Sequence, residues 1–337
     1  MEILNMIAGL SPDINRRRDA DDAAKSMDSF LGALAYQEMY HRYESLNPRY
    51  NHTLEWLVDK TSDLCKENQL RSGAGFSASR TKPGSGKSTL MKYLSESQHS
   101  RRHLKAWAGG KCLVIGRFFI SDKQTDKANL SQWLYRGLLH SIVEDLPVPD
   151  AVRFISLLFP KQWKQKLENG KVSIDDEDVR TAFVDLRHKH ALYDKHRFMI
   201  YIDGLDQYND NWCDLRKDLA TWADFKPQDV KIFVTSREHV IFDEPGPTEG
   251  FRLRDVNYTD IYQFVTSRLS GHRPYLNRVN ELDRKTLQEK IARGSEGVFL
   301  WAHLVVQELN LECEKGCFSG LEGLEYWVNK LRREVEV

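Results

Sequence analysis

The 337-residue chain has no surplus of charge of either sign, with 49 lysines and arginines against 49 aspartates and glutamates. Non-specific nucleic-acid binding rests on a basic surplus, so that class of function is set aside. Cysteine is scarce: Cys65, Cys112, Cys213, Cys313 and Cys317 are odd in number and scattered. Such a set makes no disulfide framework and fits a reducing compartment. Cys313 and Cys317 have the spacing of a metal pair, but no second Cys or His pair stands beside them, and they read as ordinary helix thiols. Long apolar runs are missing as well, and nothing approaches the ~20 residues that cross a bilayer. The opening MEILNMIAGLSPDINRRR carries its basic run after a short apolar stretch interrupted by Asn5, which is not a secretory leader. Internal repeats and low-complexity tracts are absent. The expectation is a soluble cytoplasmic protein with neither a membrane nor a nucleic acid as partner. Its length and 41% apolar content allow one large domain or two ordinary ones.

The apolar pattern divides what is present into three stretches. Residues 1–65 read as a polar helical lead-in, with Phe30, Leu31, Leu34, Tyr36, Met39, Tyr40 and Tyr43 as its apolar patch. Residues 66–256 alternate apolar strands with helices, which marks an α/β domain with a parallel sheet of about five strands wrapped by helices. Strand candidates are Cys112–Ile120, Phe198–Ile202, Ile232–Thr235 and Phe251–Val256. The densest of them suit strands buried on both faces. Leu130–Leu146 carries a clean 3.6-residue stripe, in which Trp133 reads as core rather than as a ligand platform. Residues 257–337 read as a helical, lid-like region with helices over Thr259–Leu269, Leu282–Arg293 and Val298–Leu309. The last is apolar nearly all round and is expected to be buried. Asp243–Gly250 reads as a loop. The short basic stretch Lys161–Lys166 around Trp163 reads as a solvated helix face.

The chemistry begins at Lys82-Pro83-Gly84-Ser85-Gly86-Lys87-Ser88-Thr89, a phosphate-binding loop followed by a helix start. Two glycines let the backbone curl so that N–H groups point at phosphate oxygens. Lys87 brings charge to the β- and γ-phosphates, and Ser88 offers a hydroxyl to Mg2+. The full pattern has glycine six residues before the lysine, where this chain has Thr81. A branched Cβ there restricts angles that glycine accepts. The loop therefore carries the right chemistry behind an altered entrance.

Two strand ends downstream support it. Phe198-Met199-Ile200-Tyr201-Ile202 ends in Asp203, a carboxylate at the edge where open α/β sheets hold ligands. Asp203 is placed to bind Mg2+ opposite Ser88, directly or through water, and Asp206 to orient or deprotonate an attacking water. The plainer alternative is that Asp203 caps the following turn. Lys231-Ile232-Phe233-Val234-Thr235-Ser236 ends in Arg237, whose planar fork suits γ-phosphate oxygens. The plainer alternative there is a surface arginine paired with Glu238 or Asp243.

KPGSGKSTLMKYL, FMIYIDGLDQY, KIFVTSRE and the GVFLWAHLVVQEL helix, in this order, resemble the NACHT modules of filamentous-fungal NLR-like proteins, within the STAND class of P-loop signalling NTPases. The likeness runs over roughly residues 28–333 and includes the FLGALAYQEMYHRYESLNPRYNHTLEWL lead-in. It implies a five-stranded core with the sensor strand between the loop strand and the magnesium strand, and a helical lid after the sheet. Gly84, Gly86, Lys87, Ser88 and Thr89 map onto the family's phosphate loop, Asp203 and Asp206 onto its acidic motif, and Arg237 onto its sensor arginine. ATP or GTP with Mg2+ is the implied cofactor set, and oligomerisation with triphosphate bound is the implied behaviour.

Three departures bear on that reading. Phe76-Ser77-Ala78-Ser79-Arg80-Thr81 replaces the apolar strand and Ser-Gly that the family shows, and two serines and an arginine do not suit a strand buried on both faces. Composition recovers at Lys82, so the segment reads as degenerate or as an altered reading of the gene, which the messenger RNA distinguishes. Gln207 stands where the family commonly has Glu, and it orients a water without accepting its proton. Glu238 stands where the family usually has proline.

The leading reading is a nucleotide-binding switch with slow hydrolysis, of the kind that serves non-self recognition, innate immunity or programmed cell death. Output then comes from effector or repeat domains, which this chain lacks. It reads as a bare module, a fragment or a truncated paralogue. The competing reading is a non-hydrolysing scaffold for protein–protein interaction. A small-molecule kinase on the same loop needs an acceptor pocket and lid arginines, and the Asp-Gly-Leu-Asp run with a separate sensor strand argues against it.

Overall fold

A computed structural model describes residues 20–50, 53–55, 76–120, 130–205, 212–237 and 249–316, with the single positions Gly323, Tyr326, Val328 and Lys330. The strands among them are β1 Phe76–Thr81, β2 Cys112–Phe119, β3 His196–Asp203, β4 Val230–Arg237 and β5 Glu249–Arg252. Two compact units divide the chain: Met1–Glu44, Arg102–Ile202 and Tyr208–Ile232 in the first, and Ser45–Arg101, Asp203–Gln207 and Phe233–Val337 in the second.

In the first unit the strand order is β2-β3-β4. The Cys112 N–H donates to the Lys195 carbonyl at 2.8 Å, and the Phe198 N–H to the Asp229 carbonyl at 2.8 Å. Phe198, Met199, Ile200, Tyr201 and Ile202 are all buried. A strand with both faces covered reads as an unbroken apolar run, as this one does. The helix Leu130–Asp145 lays Leu134, Leu138, Leu139, Ile142 and Val143 into the same core. It ends at Asp145, whose carboxylate accepts the Ile115 N–H of β2 at 2.8 Å. The helix Asp176–His188 opens with a capping box in which Asp175 and Asp178 bond each other's backbone N–H. From the lead-in, the helix over 20–34 buries Phe30 and Leu34 completely, and Phe30 meets the rings of Phe159 and Trp163 at 6.0 Å each. Trp133 is half-buried, with its ring 4.8 Å from that of Tyr36.

A polar relay stands among these aromatics. The Tyr40 hydroxyl donates to Glu144 Oε2 at 3.0 Å and lies 2.9 Å from His140 Nδ1. With its one proton given to Glu144, the hydroxyl oxygen accepts from a protonated Nδ1. Burial pushes the His140 pKa down, against the opposing pull of Glu144. An unfolded imidazole takes its proton at about pH 6.5, and the folded ring only at lower pH. The unfolded state therefore holds more protons in that interval, and stability falls as pH drops below about 6.5. The thermal midpoint is expected to decline over that range, and His140→Gln to flatten the decline. A melting series in pH checks it.

The second unit holds the end of β4 beside β1, and β1 beside β5. β1 and β5 run parallel, with Ser77 opposite Glu249 and Arg80 opposite Arg252. Residues 76–81 thus form a strand despite their polar composition, because ladder pairing uses backbone groups that any residue but proline supplies. The expected strand Phe251–Val256 is corrected. β5 stops at Arg252, and Leu253–Val256 is a helical turn closed by the Asn257 N–H on the Leu253 carbonyl at 3.1 Å. The expected loop is cut short at Glu249, and its residues 243–248 lie outside the described ones.

Helices Tyr258–Ser270, Glu281–Gly294 and Phe299–Lys315 agree with the periodicity, whereas the short helix Arg273–Arg278, entered through Pro274, was not expected. Ile261, Phe264, Leu287, Ile291, Trp301 and Val305 form their core. The last helix is not buried all round. Trp301, Val305 and Leu309 face inward, while Leu300, Leu304 and Leu311 are 53%, 41% and 42% exposed. Apolar residues on every side of a helix let any one face go inward, so the pattern did not choose between them. Among the described residues no helix is long and apolar enough to cross a membrane.

Candidate functional site

Thr81 closes β1 as extended backbone, and the chain turns through Lys82–Gly86 into the helix Lys87–Glu96. The left-handed angles of this turn fall at Gly84, with φ 74°, and Gly86, with φ 98°. Thr81 needs none of the freedom expected of a glycine there, since a strand end suits a branched residue. Ser85 Oγ donates to the Lys82 carbonyl at 2.8 Å, and Lys87 Nζ reaches the same oxygen at 3.2 Å. Ser85 is buried, Pro83 and Gly84 are exposed, and Lys87, Ser88 and Thr89 are half-buried. The Gly86 carbonyl accepts the Leu90 N–H at 2.8 Å, but among the described residues no side chain caps the helix start. Leu90, Met91 and Leu94 fix the helix by burial, so its first N–H groups sit on a rigid support.

Asp203 ends β3 and is 2% exposed. Its Oδ1 accepts the Thr235 hydroxyl of β4 at 2.5 Å, and the Gly204 N–H donates to the Thr235 carbonyl at 3.1 Å. Thr235 orients the carboxylate, and sequence reasoning passed it over as part of an apolar strand. A hydroxyl in a run of β-branched residues, one strand away from a terminal carboxylate, was the available signal. Thr235→Val keeps the shape and leaves a buried carboxylate oxygen short of a donor. It is expected to cost about 1–3 kcal/mol, the range for a buried polar group that loses its hydrogen-bond partner. Urea unfolding beside the parent protein checks this.

Ser236 is fully buried, and its hydroxyl has no hydrogen-bond partner among the described residues. Arg237 ends β4 and is exposed. Its alternative partners Glu238 and Asp243 lie outside the described residues, as do Asp206 and Gln207. Three strands thus end in the groups the sequence singled out, β1 at the loop, β3 at Asp203 and β4 at Arg237. An uncapped helix start, a lysine on its first turn and an oriented buried carboxylate lie at the ends of neighbouring strands. They fit a nucleoside phosphate with Mg2+.

The helical region touches the loop at successive points. Lys82 Nζ pairs with Glu296 Oε2 at 3.0 Å. The Leu300 N–H donates to the Gly84 carbonyl at 2.9 Å. A Cβ built on Gly84 would lie 2.9 Å from Leu300 Cβ, so only glycine admits this approach. Asn257 Nδ2 donates to the Gly297 carbonyl at 2.9 Å and lies 3.5 Å from the Ser85 carbonyl. None of these contacts was foreseen from the sequence.

Comparison with known proteins gives one family match. The family model described as nephrocystin 3, N-terminal, matches residues 52–237, more than half of the chain. No curated protein matches. Among solved structures, C. elegans PCH-2 is similar at 13% identity with a TM-score of 0.38, over 82% of this chain and 65% of that one, so the chain spans less than two thirds of PCH-2. The Drosophila ORC bound to DNA is similar at 13% identity with a TM-score of 0.47, over 87% of this chain and 72% of that one. At these scores neither likeness bears on function.

Proposed function

The chain belongs to the nephrocystin 3 N-terminal family, and from that premise we propose that it is a nucleotide-binding signalling switch of the NACHT and STAND type, acting on ATP or GTP with Mg2+. The observation that carries the proposal is the left-handed turn at Gly84 and Gly86, which opens an uncapped helix at Lys87, together with Asp203 buried at the end of β3. The helix start and the loop N–H groups receive the phosphates, and Lys87 neutralises their charge. Pro83, Ser85 and Thr89 complete the loop. Ser88 and Asp203 are the residues to hold Mg2+, which when bound screens the phosphate oxygens and polarises the terminal phosphoryl group. Thr235 keeps Asp203 aimed through the hydroxyl it donates to Oδ1. Ser236 has a buried hydroxyl to spare for a water or a phosphate oxygen. Asp206 orients the attacking water and Arg237 reads the terminal phosphate.

The same reading takes residues 1–65 as a helical lead-in, 66–256 as the nucleotide-binding domain and 257–337 as its lid. It takes the switch as cytoplasmic and as working through oligomerisation and through effector or repeat domains. The four motifs and their order support that finer assignment. The second reading, a scaffold that binds without turnover, is favoured by Gln207, which cannot act as a base. Single-turnover hydrolysis with excess protein and terminally labelled ATP or GTP separates the two. The switch predicts slow release of labelled phosphate that stops in Arg237→Ala. Binding with no release over many hours assigns the scaffold.

A further inference from the structure

A loop that turns its N–H groups inward to a phosphate turns its carbonyls outward, and those carbonyls take their donors from elsewhere. The Lys82 carbonyl is served locally, by Ser85 Oγ and Lys87 Nζ. The Gly84 carbonyl is served remotely, by the Leu300 N–H at 2.9 Å. Leu300 is brought there by a tight turn in which Glu296 and Gly297 both take left-handed angles, with φ 46° and 81°. A non-glycine residue at such an angle is strained, so something must hold the turn.

Asn257 is the group placed to do so. It is 2% exposed, and its Nδ2 bonds the Gly297 carbonyl at 2.9 Å while facing the Ser85 carbonyl at 3.5 Å. One nitrogen thus stands between the strained turn and the loop. Its Oδ1 has no hydrogen-bond partner among the described residues. A buried orphan acceptor is costly, and an apolar side chain of the same size would avoid that cost. What the amide adds is its donors.

We propose that Asn257 is a positioning residue of the phosphate loop, whose buried amide fixes the Glu296–Leu300 turn against Gly84 and Ser85 and so holds the loop in its phosphate-receiving shape. This rests on the reading of residues 82–89 as a phosphate site. It goes beyond that reading by giving a residue of the helical region, remote in sequence, control over the loop's conformation.

The test is hydrogen exchange on the nucleotide-free full chain, followed by mass spectrometry in segments covering 82–86 and 296–301. Asn257→Ala removes the amide. Asn257→Asp keeps its size but sets oxygens against two carbonyl oxygens. Both variants are expected to exchange about five- to tenfold faster in both segments, the size of one lost hydrogen bond. Leu287→Ala, a cavity in the same helical core, is expected to loosen residues 282–293 and leave the loop at the parent rate. MgATP affinity is expected to fall by the same five- to tenfold in both Asn257 variants. Loop exchange at the parent rate in either Asn257 variant overturns the proposal, because a packing role alone survives in the aspartate. Exchange that changes as expected in a protein that binds no nucleotide keeps the positioning role and sinks the nucleotide reading instead.

Discussion

Lys87→Ala is expected to weaken triphosphate binding roughly ten- to a hundredfold, with little change in stability. The lysine lies on the first turn of a helix whose apolar face is anchored by Leu90, Met91 and Leu94, so truncation leaves the scaffold in place. Its ammonium reaches back to the Lys82 carbonyl at 3.2 Å and lies against the loop rather than in solvent. Hydrogen bonds between charged partners contribute about 1.5–3 kcal/mol, which converts to the stated loss of affinity. Monophosphate binding should fall less, because the lysine serves the outer phosphates. Calorimetric titration of parent and variant with mono- and triphosphate checks both statements, with thermal melting as the control for folding.

Gly297→Ala is expected to be among the most destabilising single changes in the helical region, at about 2–5 kcal/mol. Two costs add. The residue sits at φ 81°, where an L side chain costs about 1–2 kcal/mol. The added Cβ also lands 2.4 Å from Arg254 Cβ, 2.5 Å from its Cα and 2.9 Å from its carbonyl oxygen, so backbone must move. Overpacking of that kind costs about 1–3 kcal/mol. Gly170 separates the two costs. It has φ 72°, caps the helix Pro160–Asn169 and has nothing within 4 Å of a built Cβ. Gly170→Ala should therefore show the conformational cost alone, about 1–2 kcal/mol. Guanidinium unfolding of both variants measures the difference. Because Gly297 is also the acceptor for Asn257, its variant should disturb the phosphate loop, whereas the Gly170 variant should not.

Local pattern made much of the site legible. The turn at 82–87 announced itself through glycines and a lysine placed before a helix, and β3 and β4 through dense apolar runs that end in polar groups. The periodicity of Leu130–Leu146 and of three helices beyond residue 257 was equally plain. What escaped was tertiary. The Thr235 hydroxyl on Asp203 joins residues 32 apart, and Asn257 meets Ser85 across 172, distances over which no periodicity speaks. β1 was read as a degenerate strand on its side-chain composition, and it pairs with β5 all the same because the ladder uses backbone groups. Leu253–Val256 continued an apparently extended run, yet turned helical where Asp255 and Asn257 disfavour a strand. The exposed leucines on the last helix were invisible because the helix is apolar on every side.

Equilibrium binding of labelled ATP and GTP to the purified full chain, with and without Mg2+, beside Asp203→Asn, tests the central claim most directly. The account predicts saturable binding of one nucleotide per chain, tightened by Mg2+, with the magnesium effect lost in the Asp203 variant and nucleotide still held by the loop. No saturable binding of either nucleotide up to about 1 mM, where the binding free energy is only about −4 kcal/mol, would contradict it.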